Sequence, residues 1–285
     1  MMKNKQNNEV YILGSESGNK KNKISKRVKI ILLIVLLIII AGIIFFFVKP
    51  KEQVPEYYFE PEQTTQQSIS VITTDSIKNE KETPFIKVSE ELTNDVPLRI
   101  YTPQNATMSL TLGLPDETDS VIIFAAMAAD IRKDNMEIVG DFVLSGKRLA
   151  RGVAKKGYAA IIDHKIAIGI GEATPLLQQA IDQNGAFFRQ YPLVHNGTLM
   201  DNRPKNKSIR RALAIRNEQV IMVESKNRES FHDFSQALID IDISDAIYLV
   251  GGDAYGWYYD QEHVRHPFGK KLSDIPKNIS YIIWR

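Results

Sequence analysis

Two aspartates stand just beyond glycines that close apolar runs: Asp141 in "EIVGDF" and Asp253 in "YLVGGDAYGW". Two Gly-Asp corners at strand ends raise the prospect of paired carboxylates at one cleft, the arrangement that acid–base work by two carboxyl groups requires. Asp141 and Asp253 are therefore the candidate catalytic residues. Arg210, in "KSIRRALAI", immediately precedes an alternating apolar run, and a guanidinium there offers a donor fork for a phosphate. Near Asp253, Tyr255 and Trp257 are rings of the kind that lie against the apolar face of a sugar. Gly251 and Gly252 let the backbone turn or approach a ligand closely. His195, in "PLVHNG", adds a titratable group beside an Asn-Gly turn. The candidate binding set is thus Arg210, Gly251, Gly252, Tyr255 and His195.

Each of these residues also has a plainer reading. Gly251 and Gly252 suit a strand-end turn, Phe187 and Phe188 suit a core pair, and the arginines suit a solvated strand edge. "GGDAYGWYYDQ" fits neither the spacing of a P-loop nor that of a dinucleotide fold, which removes nucleotide binding. His195 has no second histidine at metal-ligand spacing, and no full set of hard-cation ligands is legible, so neither a metal nor a cofactor is expected.

These residues must be positioned by short strands. "SVIIFAA" from Ser120 reads as a buried strand, and "MEIVGDFVLSG" as a strand ending near Val139. "YAAIIDHKIAIGIG" from Tyr158 and "ALAIRNEQVIMVES" from Ala212 read as hairpins, turning near Asp163–Lys165 and Asn217–Glu218. Thr174-Pro175 opens a helix that stops at Asn184-Gly185, followed by an aromatic-rich loop. Ser230 caps a second helix, which leads into the strand "DAIYLV". The order of hairpin, helix, loop, hairpin, helix and strand implies an α+β domain whose sheet is mixed and largely antiparallel, with flanking helices.

The chain has 285 residues, 44% hydrophobic and 25% charged, with no cysteine and a net charge of +2. Residues 30–48, "IILLIVLLIIIAGIIFFFV", are nineteen residues without a charge. At about 1.5 Å per residue they span a bilayer's hydrocarbon as one helix. Eight Lys/Arg and two Glu precede them. The positive-inside rule then places residues 1–29 in the cytoplasm and the remainder outside, in the periplasm or at the cell surface. Residues 49–84, rich in Pro, Gln, Thr and Glu, read as a flexible stalk, and residues 85–285 as the domain. That domain holds 24 Lys/Arg against 25 Asp/Glu. The positive excess lies in the tail, where anionic lipid accounts for it, and nucleic-acid binding is disfavoured.

In order, "IVGDF" (Ile138–Phe142), "YPLVHNG" (Tyr191–Gly197), "RRALAI" (Arg210–Ile215) and "LVGGDA" (Leu249–Ala254) resemble the motifs of the phosphodiester glycosidase domain family, over about residues 95–260. The uncovering enzyme, which removes N-acetylglucosamine from a sugar phosphodiester, belongs to that family. Joined to the anchor read at residues 30–48, the resemblance implies a membrane-anchored domain that hydrolyses or recognises a glycosyl phosphodiester or envelope glycan, with Arg210 on the phosphate. It also implies two departures. Val139 stands where the family keeps Asn, and Val250 where it keeps the Asp of Asp-Gly-Gly. Valine neither binds phosphate nor moves a proton, so either Asp141 and Asp253 have taken over the chemistry or the module is a catalytically inactive glycan-binding or scaffold domain.

Overall fold

A computed structural model describes residues 69–74, 82–274 and 276–285. The tail, the apolar segment 30–48 and most of the 49–84 segment lie outside the described residues. Among those described, no helix is long and apolar enough to cross a membrane.

The strands fall into three sheets whose ladders are antiparallel. The first contains β1 (Ile69–Thr74), β9 (Lys165–Ile170), β8 (Gly157–Ile162), β10 (Ala186–Gln190), β6 (Phe142–Leu144) and β7 (Lys147–Ala150), in that order. The second runs β12 (Thr198–Leu199), β11 (Pro192–His195), β15 (Ile243–Leu249), β13 (Arg211–Arg216), β14 (Gln219–Ser225), β3 (Val96–Gln104) and β2 (Phe85–Thr93). The third runs β17 (Arg265–Phe268), β16 (Gly256–Tyr259), β5 (Phe124–Met127), β18 (Ser280–Trp284) and β4 (Met108–Leu112).

The inner strands β8 and β13 read almost continuously apolar because both of their faces are covered. In β8, Ala159 faces a central core while Ala160 packs with Ala180 of the Pro175–Asp182 helix. In β13, Leu213 and Ile215 face that same central core, and Ala212 and Ala214 pack with Phe231, Phe234 and Leu238 of the Phe231–Asp240 helix. The result is helix, sheet, sheet, helix, with the third sheet feeding Phe124, Trp257, Tyr281 and Trp284 into the central core. All four of those side chains are fully buried. Truncating one such ring to alanine costs about 3–5 kcal/mol.

Local chemistry explains the connections. The hairpins β8–β9 and β13–β14 turn through Asp163-His164 and Asn217-Glu218, pairs with positive φ at both residues, which matches the twist of the strands they join. Thr174 Oγ1 accepts from the Leu176 amide (3.3 Å) and Ser230 Oγ from that of Asp233 (3.0 Å), so both helices start at their expected caps.

Three expectations change. Ile69–Thr74, inside the segment read as a stalk, is a strand paired with β9 from Ile69↔Ile170 to Thr74↔Lys165. The aromatic "loop" after Asn184 is β10 and β11, with Phe187 and Phe188 wholly inside. And Val139-Gly140-Asp141 does not end a strand. It follows an isolated Ile131↔Ile138 bridge and leads into β6.

Candidate functional site

The "VGGDA" corner leaves the end of β15. Val250 is buried, and its amide donates to the Met127 carbonyl at the end of β5 (3.2 Å). Gly251 passes so close to the Ile209 carbonyl that an added Cβ would lie 2.1 Å from that oxygen, and Gly252, at φ +58°, donates to the same carbonyl (2.7 Å). The glycines therefore make a tight turn against the chain just ahead of β13, as their plainer reading anticipates. Arg211 fastens this turn from below. Its Nη1 donates to the carbonyls of Ala254 (2.8 Å) and Val250 (3.3 Å), its Nε donates to Glu224 (2.6 Å), and its guanidinium lies 4.7 Å from the centre of the Phe268 ring. Asp253 sits exposed at the tip, its carbonyl accepting from the Lys270 amide (2.9 Å).

Tyr255 is mostly buried beside Trp257, with ring centres 6.1 Å apart. Burial and a hydrogen bond to Glu117 push its phenol up. Glu117 itself is ion-paired to Lys271 (2.6 Å) and Arg265 (2.7 Å). Burial pushes the Glu117 carboxyl up, but Lys271, Tyr255 and Arg265 together outweigh it and hold the group below its ordinary value.

Asp141 is 2% exposed and fully engaged. Its Oδ2 accepts from Arg189 Nε (2.9 Å), and its Oδ1 accepts from Arg148 Nη2 (2.5 Å) and the Gly152 amide (3.1 Å). The rest of the Arg189 guanidinium donates to the carbonyls of Lys155 (3.3 Å), Gly171 (2.8 Å) and Glu172 (2.6 Å). Asp141 is thus the anion that balances a buried arginine, with no oxygen directed at solvent.

Between the two corners lies a group that local spacing did not reveal. The strand β5 continues through Ala128 and Ala129 to Asp130, whose carbonyl accepts from Val139 (2.8 Å). Both valines are therefore attached to the segment 127–130. The Asp130 carboxylate, 1% exposed, is in contact with the Lys155 ammonium, which is equally buried. Gln190 bridges the pair: its Oε1 accepts from Lys155 (3.0 Å), and its Nε2 donates to Asp130 Oδ1 (3.0 Å) and to the Ala128 carbonyl (3.2 Å). The Lys155 Nζ lies 4.1 Å from the centre of the Tyr191 ring, and burial pushes its ammonium well below its ordinary range. The one sequence signal was an acid placed straight after the apolar run "IIFAAMAA". Lys155 and Gln190 lie 25 and 60 residues from Asp130 and give no local signal.

The remaining candidates sit elsewhere. Arg210 is fully buried, donates to the carbonyls of Glu229 (3.0 Å) and Asn206, and stacks 4.1 Å from the centre of the Phe231 ring. It faces the helix side of its sheet and ties loops together, away from Asp141. His195 Nδ1 pairs with Asp245 Oδ1 (2.7 Å) near the start of β15. Five residues of strand, about 16 Å, separate Asp245 from Val250. Among the described residues Asp141 and Asp253 share no partner, and no group of three metal-binding side chains occurs. Two surface cavities, of about 130 Å³ beside Asn202, Lys205 and His232 and about 220 Å³ beside Ile162, Leu176 and Gln183, include neither aspartate in their walls.

No family model matches the sequence, and no curated protein does. Among solved structures, a hypothetical protein from Synechocystis is 11% identical, with a TM-score of 0.47 over 70% of this chain and 62% of its own. The catalytic domain of zebrafish N-acetylglucosamine-1-phosphodiester alpha-N-acetylglucosaminidase, auto-inhibited by its pro-peptide, is 12% identical, with a TM-score of 0.51 over 77% of this chain and 87% of its own. That likeness shows a fold akin to the glycosidase domain, reached with very different side chains.

Proposed function

We propose that this chain is a membrane-anchored, outward-facing module that uses a glycosidase-like fold to recognise a glycan or glycosyl phosphodiester at the cell envelope without hydrolysing it. The observation behind this reading is the filled centre. Glycoside hydrolysis needs two carboxyl groups within roughly 10 Å of each other, both able to reach substrate. Here Asp141 is enclosed by Arg189 and Arg148, Asp130 by Lys155 and Gln190, and Val139 and Val250 are sealed inside. Asp253 alone is open to solvent among the acids at these corners. One exposed acid two residues before Tyr255, whose ring lies 5.7 Å from the Lys271 ammonium, suits recognition of sugar hydroxyls rather than cleavage.

The test uses the full chain in detergent and methyl N-acetylglucosamine 1-phosphodiester. The expected result is no sugar released above the no-protein rate, together with retention on immobilised envelope glycans that Asp253→Ala weakens. Release of N-acetylglucosamine that Asp253→Ala abolishes without changing the melting temperature would restore the hydrolase reading. The anchor is tested separately. The native chain has no cysteine, so single cysteines placed in the 1–29 tail and at Asp253 report sidedness cleanly. In intact cells, an impermeant thiol reagent should label the second and not the first.

A further inference from the structure

A lysine with no exposed surface rarely stays a plain ion pair, because an ammonium held away from water is costly and a proton can pass to its partner carboxylate instead. That transfer leaves an amine and a carboxylic acid in contact, the two components of an amide. Lys155 and Asp130 are so placed. Both are within 2% of full burial, and they touch at the nitrogen and one carboxyl oxygen. Gln190 holds both partners at once: its carbonyl orients Nζ (3.0 Å), and its amide donates to the other oxygen, Asp130 Oδ1 (3.0 Å). The Lys155 backbone is clamped through its carbonyl by Arg189 (3.3 Å), and the Tyr191 ring closes one side of the nitrogen at 4.1 Å. Proximity and fixed orientation of this kind turn a sluggish bimolecular condensation into an intramolecular step.

We propose that Lys155 and Asp130 are joined by an amide bond between Nζ and Cγ, a cross-link that the folded domain forms by itself. The neutral Nζ attacks Cγ of the protonated carboxyl and the C–N bond forms. Oδ1 takes up the negative charge against the Gln190 amide and stays as the new carbonyl oxygen. A proton passes from Nζ to Oδ2, the bond from Cγ to Oδ2 breaks, and one water leaves. No oxidant, reductant or further reactant is needed. The bond ties the end of β5 to the segment before β8, closing a loop of 25 residues in a chain that has no disulfide to do so. It acts as a staple and is independent of whether the module recognises or cleaves sugar.

The experiment is mass spectrometry of the purified full chain, followed by tryptic digestion under denaturing conditions. The linked protein is lighter than its sequence by one water, about 18 Da. Its digest contains residues 100–132 joined to residues 152–156, because trypsin cannot cut after an acylated Lys155. Lys155→Met restores the full sequence mass and releases the two peptides separately. Asp130→Asn still links, losing ammonia, about 17 Da, in place of water. A wild-type chain at full sequence mass, with Lys155 open to trypsin and to amine acylation after unfolding, overturns the proposal. These readouts are covalent, so they remain decisive even if a variant folds poorly.

Discussion

Asp141→Ala is the substitution that best separates a catalytic carboxylate from a structural one. Removing the carboxyl leaves the Arg189 guanidinium buried, 0% exposed, without the anion that faces it at 2.9 Å. Breaking a buried pair from one side costs roughly 3–5 kcal/mol because the surviving charge is stranded. Arg189 keeps three carbonyl acceptors, from Lys155, Gly171 and Glu172, which offset part of that loss and place the expected cost at the lower end, about 3 kcal/mol. The bond to the more exposed Arg148 adds little. For a domain of this size, about 3 kcal/mol lowers the melting temperature by roughly 6–12 °C. The assay is thermal unfolding of the full chain, followed by near-ultraviolet circular dichroism. Asp141→Asn, which retains one acceptor and the side-chain shape, should lose less. Arg189→Met in the Asp141→Ala background should recover part of the loss, because the stranded charge is gone. A melting temperature within about 1 °C of wild type for Asp141→Ala would refute the buried-pair reasoning and return Asp141 to the list of free acids. Asp253→Ala, at an exposed tip, is the internal contrast and should shift stability by less than about 0.5 kcal/mol.

Gly251→Ala should be among the most damaging changes available in the corner. Its Cβ would meet backbone at Ile209, so β15 and the start of β13 must separate and the Gly252 amide loses its partner. A loss of at least about 2 kcal/mol in urea unfolding is expected, with no compensating effect from repacking side chains. Glu117 should make stability acid-sensitive. Its folded carboxyl sits below the ordinary glutamate value of 4.5, so its contribution is fully present above pH 4.5 and is lost as pH falls through the folded value. Glu117→Gln should flatten that part of the curve of melting temperature against pH and leave the curve near neutrality lower. An unchanged acid limb would show that Lys271 and Arg265 are not held by this group.

Much of the architecture was readable from local chemistry. Asp163-His164 and Asn217-Glu218 fix two hairpins by backbone twist, and Thr174 and Ser230 fix two helix starts by their side-chain oxygens. The candidate site was less legible because its decisive facts are non-local. Arg210 immediately precedes the strand that Arg211 opens, and the two guanidinium groups go to opposite faces, one against Phe231 and the other against Phe268. Both faces are apolar further along the strand, so periodicity could not say which arginine meets the Gly-Gly turn. It is Arg211. The Gly-Asp at Asp141 looked like its counterpart at Asp253, yet one is wrapped by two guanidinium groups that arrive from 7 and 48 residues away. Asp130, Lys155 and Gln190 are each unremarkable until three separate segments bring them together. Ile69–Thr74 was hidden by averaging: "ISVITT", in which every residue but Ser70 is β-branched, lies in a stretch whose composition is polar.

That strand has a further consequence for how the protein behaves outside its native setting. β1 lies along the whole of β9, whose sequence "KIAIGI" is apolar apart from its first residue. A fragment starting at Phe85 would lose β1 and bare the backbone donors and acceptors of β9 as an open, sticky margin. An exposed apolar edge of that length recruits other strands. Such a fragment should assemble with itself as its concentration rises, and a peptide of residues 69–74 added in excess should suppress that assembly. On that outcome, a six-residue strand in a polar stretch would be what covers this edge of the sheet.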